Sequence, residues 1–313
     1  MSISVAICSH NPRPDYLSRT LEGLRAQTLP KEQWELLFVD NASDPPVAVD
    51  LHWHPQGRTI REEKAGLTPA RTCAIRASRN NLILFVDDDN VLASDYLEVC
   101  LRIAEEWPEL GTWGGQTMGE FETPPPEWTR KYWLWIAVRE FQKDLWSNVP
   151  GEASSLPYGA GMCVRRHVAE AYLKTLEKHP VRQGLDRTGR GLLGGGDADL
   201  SFTACDMQLG NGIFAALKLT HLISSRRLTE EYLLNLVESM TYSHTMLFHF
   251  RGTTALRPSR SQRLLKWYQC LHISERERRF ENAKQRGREA AFRDIDRAHQ
   301  QLPPLGLLSN GAG

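Results

Sequence analysis

A chain of 313 residues is long enough to bury one large core, alone or with an appendage. Lys plus Arg (38) equals Asp plus Glu (38), so the global charge gives no footing for nucleic acid as a partner. Six cysteines, Cys8, Cys73, Cys100, Cys163, Cys205 and Cys270, stand singly without zinc-type spacing, which reads as reduced thiols in a cytoplasmic protein and argues against a disulfide framework.

The chain opens directly into Ile3 to Cys8, a buried strand, with no leader visible before it and no run of membrane-spanning length after it. The polar loop Ser9-His10-Asn11-Pro12-Arg13-Pro14 follows, and from about Asp15 the spacing of Leu17, Leu21 and Leu24 predicts a helix. Trp34 to Val39 predicts a second strand, ending in Asp40-Asn41-Ala42-Ser43-Asp44, and a short strand is expected near Arg58 to Arg61. Strand, helix, strand in that order argues for a parallel sheet with right-handed crossovers. Gly66-Leu67-Thr68-Pro69-Ala70-Arg71 opens the next helix, with proline near its first turn, and the helix runs to about residue 80.

That helix delivers the chain to Leu82-Ile83-Leu84-Phe85-Val86, a strand buried on both faces that ends in Asp87-Asp88-Asp89. If the backbone stays extended, Asp87 and Asp89 point one way and Asp88 another. Two converging carboxylates suit Mg²⁺ or Mn²⁺, which complete their shell with water and phosphate oxygens; capping of a following helix is the alternative use. The three strand ends lie side by side at the carboxyl edge of the sheet and shape a nucleotide crevice. Asp40 could accept from a base N–H, groups near Ser9 could meet base or ribose, and Arg71 could approach a diphosphate. No Gly-rich phosphate loop is present, so a metal clamp would take its place.

The ordered set Ser4 to Asn11, Leu37 to Ser43, Gly66 to Arg71 and Phe85 to Asp89 resembles the nucleotide-sugar-dependent glycosyltransferases of family 2, over about residues 3 to 235. The resemblance implies the GT-A fold, an α/β architecture with a Rossmann-like, mostly parallel sheet flanked by helices. It implies a nucleoside held by Ser9, Asn11, Asp40 and Asn41, and an Asp-x-Asp site where Asp87, Asp88 and Asp89 meet ribose, metal and diphosphate.

Further on, Leu110 to Gly115 and Ser155 to Val164 read as short strands, and the glycines of Tyr158-Gly159-Ala160-Gly161-Met162 let backbone approach a ligand, with Gly161 the expected contact. An aromatic insert at about 120–150 (Phe121, Trp128, Tyr132, Trp133, Trp135, Phe141, Trp146) is expected to pack mostly on the sheet, with one or two rings left to stack on sugar. Gly194-Gly195-Gly196-Asp197-Ala198-Asp199 enters a helix whose first turn carries two acids, as cap or as chemistry. The resemblance makes Asp197 the base that deprotonates the acceptor hydroxyl and Asp199 the second acid. The position before the base, commonly Glu in the family, is Gly196 here, a departure that bears on acceptor recognition.

A strand from Ile213 leads to His221, which the resemblance favours at the metal or diphosphate site ahead of His244 and His249, with Arg226 or Arg227 offsetting diphosphate charge. Gln262 to Gln300 is a highly charged helical segment whose front (Leu264, Leu265, Trp267, Tyr268, Leu271) could dock on the core, a partner subunit or a membrane surface, and the tail from Leu302 is expected to be disordered. The expectation is a Mn²⁺- or Mg²⁺-dependent, inverting glycosyltransferase on residues 1–235, with a nucleotide half (1–115), an acceptor half (116–235) and a helical extension (236–301). Its donor would be a nucleotide sugar, UDP-linked by family prevalence, and its acceptor a carbohydrate or other hydroxyl. A sugar nucleotidyltransferase is the alternative enzyme, although Ser9 to Arg13 lacks the glycine such a loop would use; a non-catalytic scaffold of the same fold would not need Asp197.

Overall fold

The structure, a computed structural model, describes residues 1–187, 191–252, 257 and 259–301. The tail from Leu302 and the side chains of Trp267, Cys270 and Leu271 lie outside the described residues. The first part alternates strand and helix: β1 (Ile3–Ser9), α1 (Pro14–Arg25), β2 (Trp34–Asn41), β3 (Gly57–Glu62), α2 (Leu67–Ala77), β4 (Leu82–Val86), β5 (Asn90–Leu92) and α3 (Tyr96–Glu106). Then come β6 (Leu110–Phe121), β7 (Leu145–Ser147), β8 (Met162–Arg165), α4 (Arg166–Lys178), α5 (Gly196–Asp206) and β9 (Gly210–Ile223). The chain closes with α6 (Glu230–Phe250), α7 (Arg260–Leu271) and α8 (Glu275–Gln301).

Among the described residues one sheet holds nine strands in the order β3-β2-β1-β4-β8-β6-β9-β5, with β7 paired to β9. β3, β2, β1 and β4 are mutually parallel, and β8 then enters antiparallel to β4. The apolar runs of β1, β2 and β4 are continuous because both faces are covered. Ile3, Val5 and Ile7 pack with α1 and α3, whereas Ala6, Leu37, Val39 and Phe85 pack with α2 and α4. Parallel pairing in register sets the ends of β1, β2 and β4 together, Ser9 beside Asp40 and Ile7 beside Val86.

Two strands differ from expectation. The segment from Ser155 pairs only over Met162–Arg165, because Pro157 has no N–H to give and Gly161 turns at φ +72°. β6 runs past Gly115 to Phe121, since its parallel pairing with β9 resumes after an irregularity between Gly115 and Gln116. The boundary expected at 235/236 falls inside α6, and α8 belongs to the cores beneath it. Phe280 stacks on Tyr132 at 3.7 Å between centroids, and Ala291 and Ile295 are buried with Phe202 of α5. Among the described residues no helix is long and apolar enough to cross a membrane.

Candidate functional site

The ends of β1 and β4, the start of α2, the segment before β8 and the start of α5 surround a cleft of about 350 Å³. β4 stops at Val86, and the chain turns at once. The Asn90 N–H donates to the Asp87 carbonyl (3.1 Å), and the Asp87 N–H donates to Asn90 Oδ1 (3.2 Å). The extended geometry expected through Asp89 is therefore replaced by a tight turn, and all three carboxylates line the cleft instead of two. Ser9 donates to Asp88, while Asp89 is held by Arg227 (3.1 Å) and His221 (3.3 Å). Burial and the charge of Asp89 raise Asp87, and the same two causes push Asp88 up to about 7. Burial works against Asp89 as well, yet the charges of His221 and Arg227 bring it down to about 2.

Across the cleft, α5 presents Asp197. Its Oδ2 accepts from the Gly159 N–H (3.0 Å) and its Oδ1 from the Ala198 N–H (2.8 Å). Between the two acidic groups lies Arg71, carried into the interior by α2 with 6% of its side chain exposed. Burial works against its charge, and the carboxylates of Asp186, Asp197 and Asp87 more than restore it. Among the described residues Arg71 Nη1 is buried without a hydrogen-bond partner, so it has an N–H to give to an incoming oxygen. A Cβ at Gly159 would overlap the Arg71 guanidinium, which makes this glycine the seat of the cation.

Several expected residues are placed elsewhere. Asn11, at φ 49°, lies off the cleft, with its Oδ1 accepting the Asp44 N–H (3.0 Å). The buried Asp40 carboxylate takes Arg61 (2.6 Å) and the N–H groups of Ser43 and Val47, so it holds its own loop together and does not line the cleft. Asn41 reaches the rim, but its amide ties β3 to α2 through Gly66 (2.7 Å) and Lys64 (2.7 Å). Gly161 faces away from the cleft, giving its carbonyl to the Tyr96 hydroxyl (2.7 Å), and Gly159 beside it seats the Arg71 guanidinium rather than a ligand. Asp199 is fully buried between Arg182 (3.1 Å) and Arg251 (2.9 Å), an internal ion triad that does not line the cleft. Arg226 is exposed, and its neighbour Arg227 lines the cleft. His221 does line it, but Nε2 already meets Arg227 (2.8 Å) and Asp89, so it braces the acid turn. His244 and His249 sit on α6 outside the cleft. Of the insert's aromatic residues only Trp135 lines the cleft, while Trp128 and Tyr132 pack on Phe280 and Phe121 packs on Trp133.

Three further lining residues bear polar groups whose place in the cleft is not foreseen from the sequence. Asp186 and Arg187 follow the 3₁₀ turn Pro180–Leu185, and Tyr158 lies under Arg139, whose guanidinium is 4.2 Å from the ring centre. The glycine at 196 was the available signal for Asp186, since a missing side chain leaves space for another. No group of three His, Cys, Asp or Glu among the described residues is gathered to hold a metal ion. The donor chemistry nevertheless fits a hard divalent cation that relies on substrate and water for the remaining ligands. Among the described residues the Asp87 carboxylate accepts no hydrogen bond, and the five carboxylates lining the cleft outnumber the guanidinium groups there, those of Arg71, Arg187 and Arg227.

The model of the family described as glycosyl transferase family 2 matches residues 4–170, more than half of the chain. A putative glycosyltransferase of Bacillus subtilis, EpsH, is 29% identical over 113 residues, which covers 35% of this chain and 32% of that relative. The chain thus spans about a third of that curated relative's length. A crystal structure of S. aureus TarS residues 1–349 superposes with a TM-score of 0.50 at 14% identity, covering 96% of this chain and 92% of that one. The same TarS fragment in complex with UDP gives 0.50 at 13% identity over the same shares. These likenesses support the fold, and the family match, spanning β1 to α4 and therefore the acid turn and Arg71, shows that the chain belongs to glycosyl transferase family 2.

Proposed function

We propose that this chain transfers a sugar from a nucleoside diphosphate donor to a hydroxyl, with inversion and with a divalent cation. The observation that carries the reading is that Asp197, Arg71 and the acid turn Asp87 to Asp89 line one cleft. Asp197 is half-buried and fixed by two backbone N–H groups, yet keeps lone pairs for an acceptor proton. A base so placed contributes roughly 10² to 10⁴ in rate. Arg71 offers its unpartnered N–H to the diphosphate, with Arg187 and Arg227 nearby. Asp87 and Asp89 would hold Mn²⁺ or Mg²⁺, which supplies charge neutralisation for the departing diphosphate. The one acid that α5 opens to the cleft, set apart from the acid turn, favours displacement in a single step and hence inversion.

UDP is the proposed nucleotide, supported by the TarS fragment that shares the fold and is described with UDP. Trp135, Tyr158 and the exposed Leu134 give the base side an apolar wall suited to the face of a sugar acceptor. We place the protein in the cytoplasm, docked through α7, whose Leu264, Leu265 and Tyr268 are exposed, on a membrane surface or on a second copy. The test is a thermal-shift series with UDP, other nucleotides and UDP-sugars, with and without Mn²⁺, alongside release of UDP. A ligand at ~100 times its Kd stabilises by about 2.7 kcal/mol, a readily measured rise in Tm. No rise with any nucleotide plus metal, together with no UDP release, would remove the reading.

A further inference from the structure

Asp186 belongs to no element whose pattern pointed to the site, yet among the described residues its carboxylate's polar contacts all reach one that does. Its side chain is 4% exposed. Oδ1 accepts from the N–H groups of Gly195 (3.4 Å) and Gly196 (3.0 Å), and Oδ2 accepts from Thr68 Oγ1 (3.0 Å) on α2. Oδ2 also lies 3.6 Å from Arg71 Nη1, near enough to favour the guanidinium's charge but too far to use up its N–H. α5 has no capping side chain of its own, so this carboxylate from another segment satisfies its first N–H groups. A Cβ at Gly196 would overlap the Asp186 carboxylate. A side chain at 196 and a carboxylate at 186 therefore compete for one space, directly beside Asp197.

We propose that Asp186 is the positioning residue that keeps Arg71 directed toward the diphosphate side and off Asp197, and that positions 186 and 196 are exchangeable, one giving the carboxylate and the other the room. After Asp186, Asp197 is the carboxylate whose charge most favours the Arg71 guanidinium, so without Asp186 pairing there would weaken the base. The inference rests on the function proposed above for what Asp197 and Arg71 do. It goes beyond it in assigning a role to a residue outside the family's motifs.

Asp186→Asn keeps an acceptor for the α5 N–H groups and removes the charge. It should leave Tm within a few degrees, lower kcat for UDP-sugar turnover at least roughly tenfold, and move the acid limb of the kcat–pH profile to lower pH, since a closer Arg71 favours the charged form of Asp197. A residue that only caps α5 would move neither the rate nor the limb. Gly196→Asp alone should lose Tm and turnover through crowding, and Asp186→Gly alone should lose both through the missing carboxylate. The double variant Asp186→Gly/Gly196→Asp should recover Tm and turn over about tenfold faster than either single, non-additivity of the kind contacting residues show. An Asn variant with wild-type kcat and an unmoved limb, or a double variant no better than the singles in both Tm and rate, overturns the proposal. A wild-type protein that neither binds UDP with Mn²⁺ nor releases UDP from a UDP-sugar instead sinks the functional reading, and the Tm cycle still decides whether 186 and 196 exchange.

Discussion

Asp197→Asn is the substitution that most directly separates chemistry from folding in this cleft. The carboxylate accepts one N–H on each oxygen, from Gly159 at 3.0 Å and Ala198 at 2.8 Å. An amide keeps one acceptor and turns its NH₂ toward the other N–H, so one contact is lost, a cost of about 1 kcal/mol in a half-buried position. Loss of the proposed general base should remove roughly 10² to 10⁴ in rate, about 3 to 5 kcal/mol of barrier. The kinetic loss thus exceeds the folding loss severalfold, and the variant should melt within a few degrees of wild type while its turnover collapses. Removing a negative charge that faces Arg71 gives no reason for UDP to bind less well, so a UDP titration in the presence of Mn²⁺ should return a Kd equal to or tighter than wild type. Turnover is read as UDP release at saturating donor, to an acceptor or to water. An Asn variant that keeps more than about a tenth of wild-type kcat would refute the role given to Asp197.

Gly159→Ala drives a methyl into the seat of the Arg71 guanidinium and should weaken UDP binding with Mn²⁺ at least roughly tenfold, the scale of one lost charge-assisted contact; unchanged affinity would dissociate Arg71 from the diphosphate. Asp199→Ala leaves Arg182 and Arg251 buried without their carboxylate and should cost roughly 3–5 kcal/mol in urea unfolding, and a loss under about 1 kcal/mol would contradict the triad. Because Asp87 is raised and Asp88 lies at about 7, the folded state holds more protons than the unfolded chain, so these groups lower the metal-free protein's stability as pH rises from about 4 through 7. Mn²⁺ competes with those protons, so its effect on Tm should be larger at about pH 8 than at about pH 5.5, and equal gains would count against a cation at the acid turn. Replacing Leu264 and Leu265 with Asp should abolish either sedimentation with anionic lipid vesicles or self-association in solution; no change in both would leave α7 without a docking role.

The scaffold was legible wherever a strand is buried on both faces. β1, β2 and β4 announce themselves as continuous apolar runs, and parallel order then brings their ends together, which is why the loop at Ser9 and the carboxylates of Asp87 and Asp89 read as one crevice in the sequence. Legibility failed where a polar side chain answers to a residue distant in sequence. Asp199 reads like a second functional acid because it shares a helical turn with Asp197, but Arg182 and Arg251 arrive from 17 and 52 residues away to bury it. Asp40 is spent on Arg61, 21 residues on, and Asn90 closes the turn that pulls Asp88 into the cleft. Arg226 and Arg227 differ only in which one the 3₁₀ turn Ser225–Leu228 directs inward, and composition cannot choose between them.

The glycines tell the more general story. In the sequence they suggest places where backbone comes close to a ligand, but here they make room for the protein's own polar groups. Gly159 is occupied by the Arg71 guanidinium, Gly196 by the Asp186 carboxylate and Gly161 by the Tyr96 hydroxyl, in each case from an element other than the glycine's own. A charged group lodged against bare backbone has few other rotamers open to it, so its position is set before any substrate arrives. That is what a displacement reaction demands of its electrostatics, because charges that must reorient during the reaction return part of what they contribute. A glycine beside a functional motif therefore asks two questions of a sequence: what could approach from solvent, and which distant side chain needs the space. For Gly196 the second question leads to Asp186, and through it to the fixed separation between Arg71 and Asp197 on which the proposed chemistry depends.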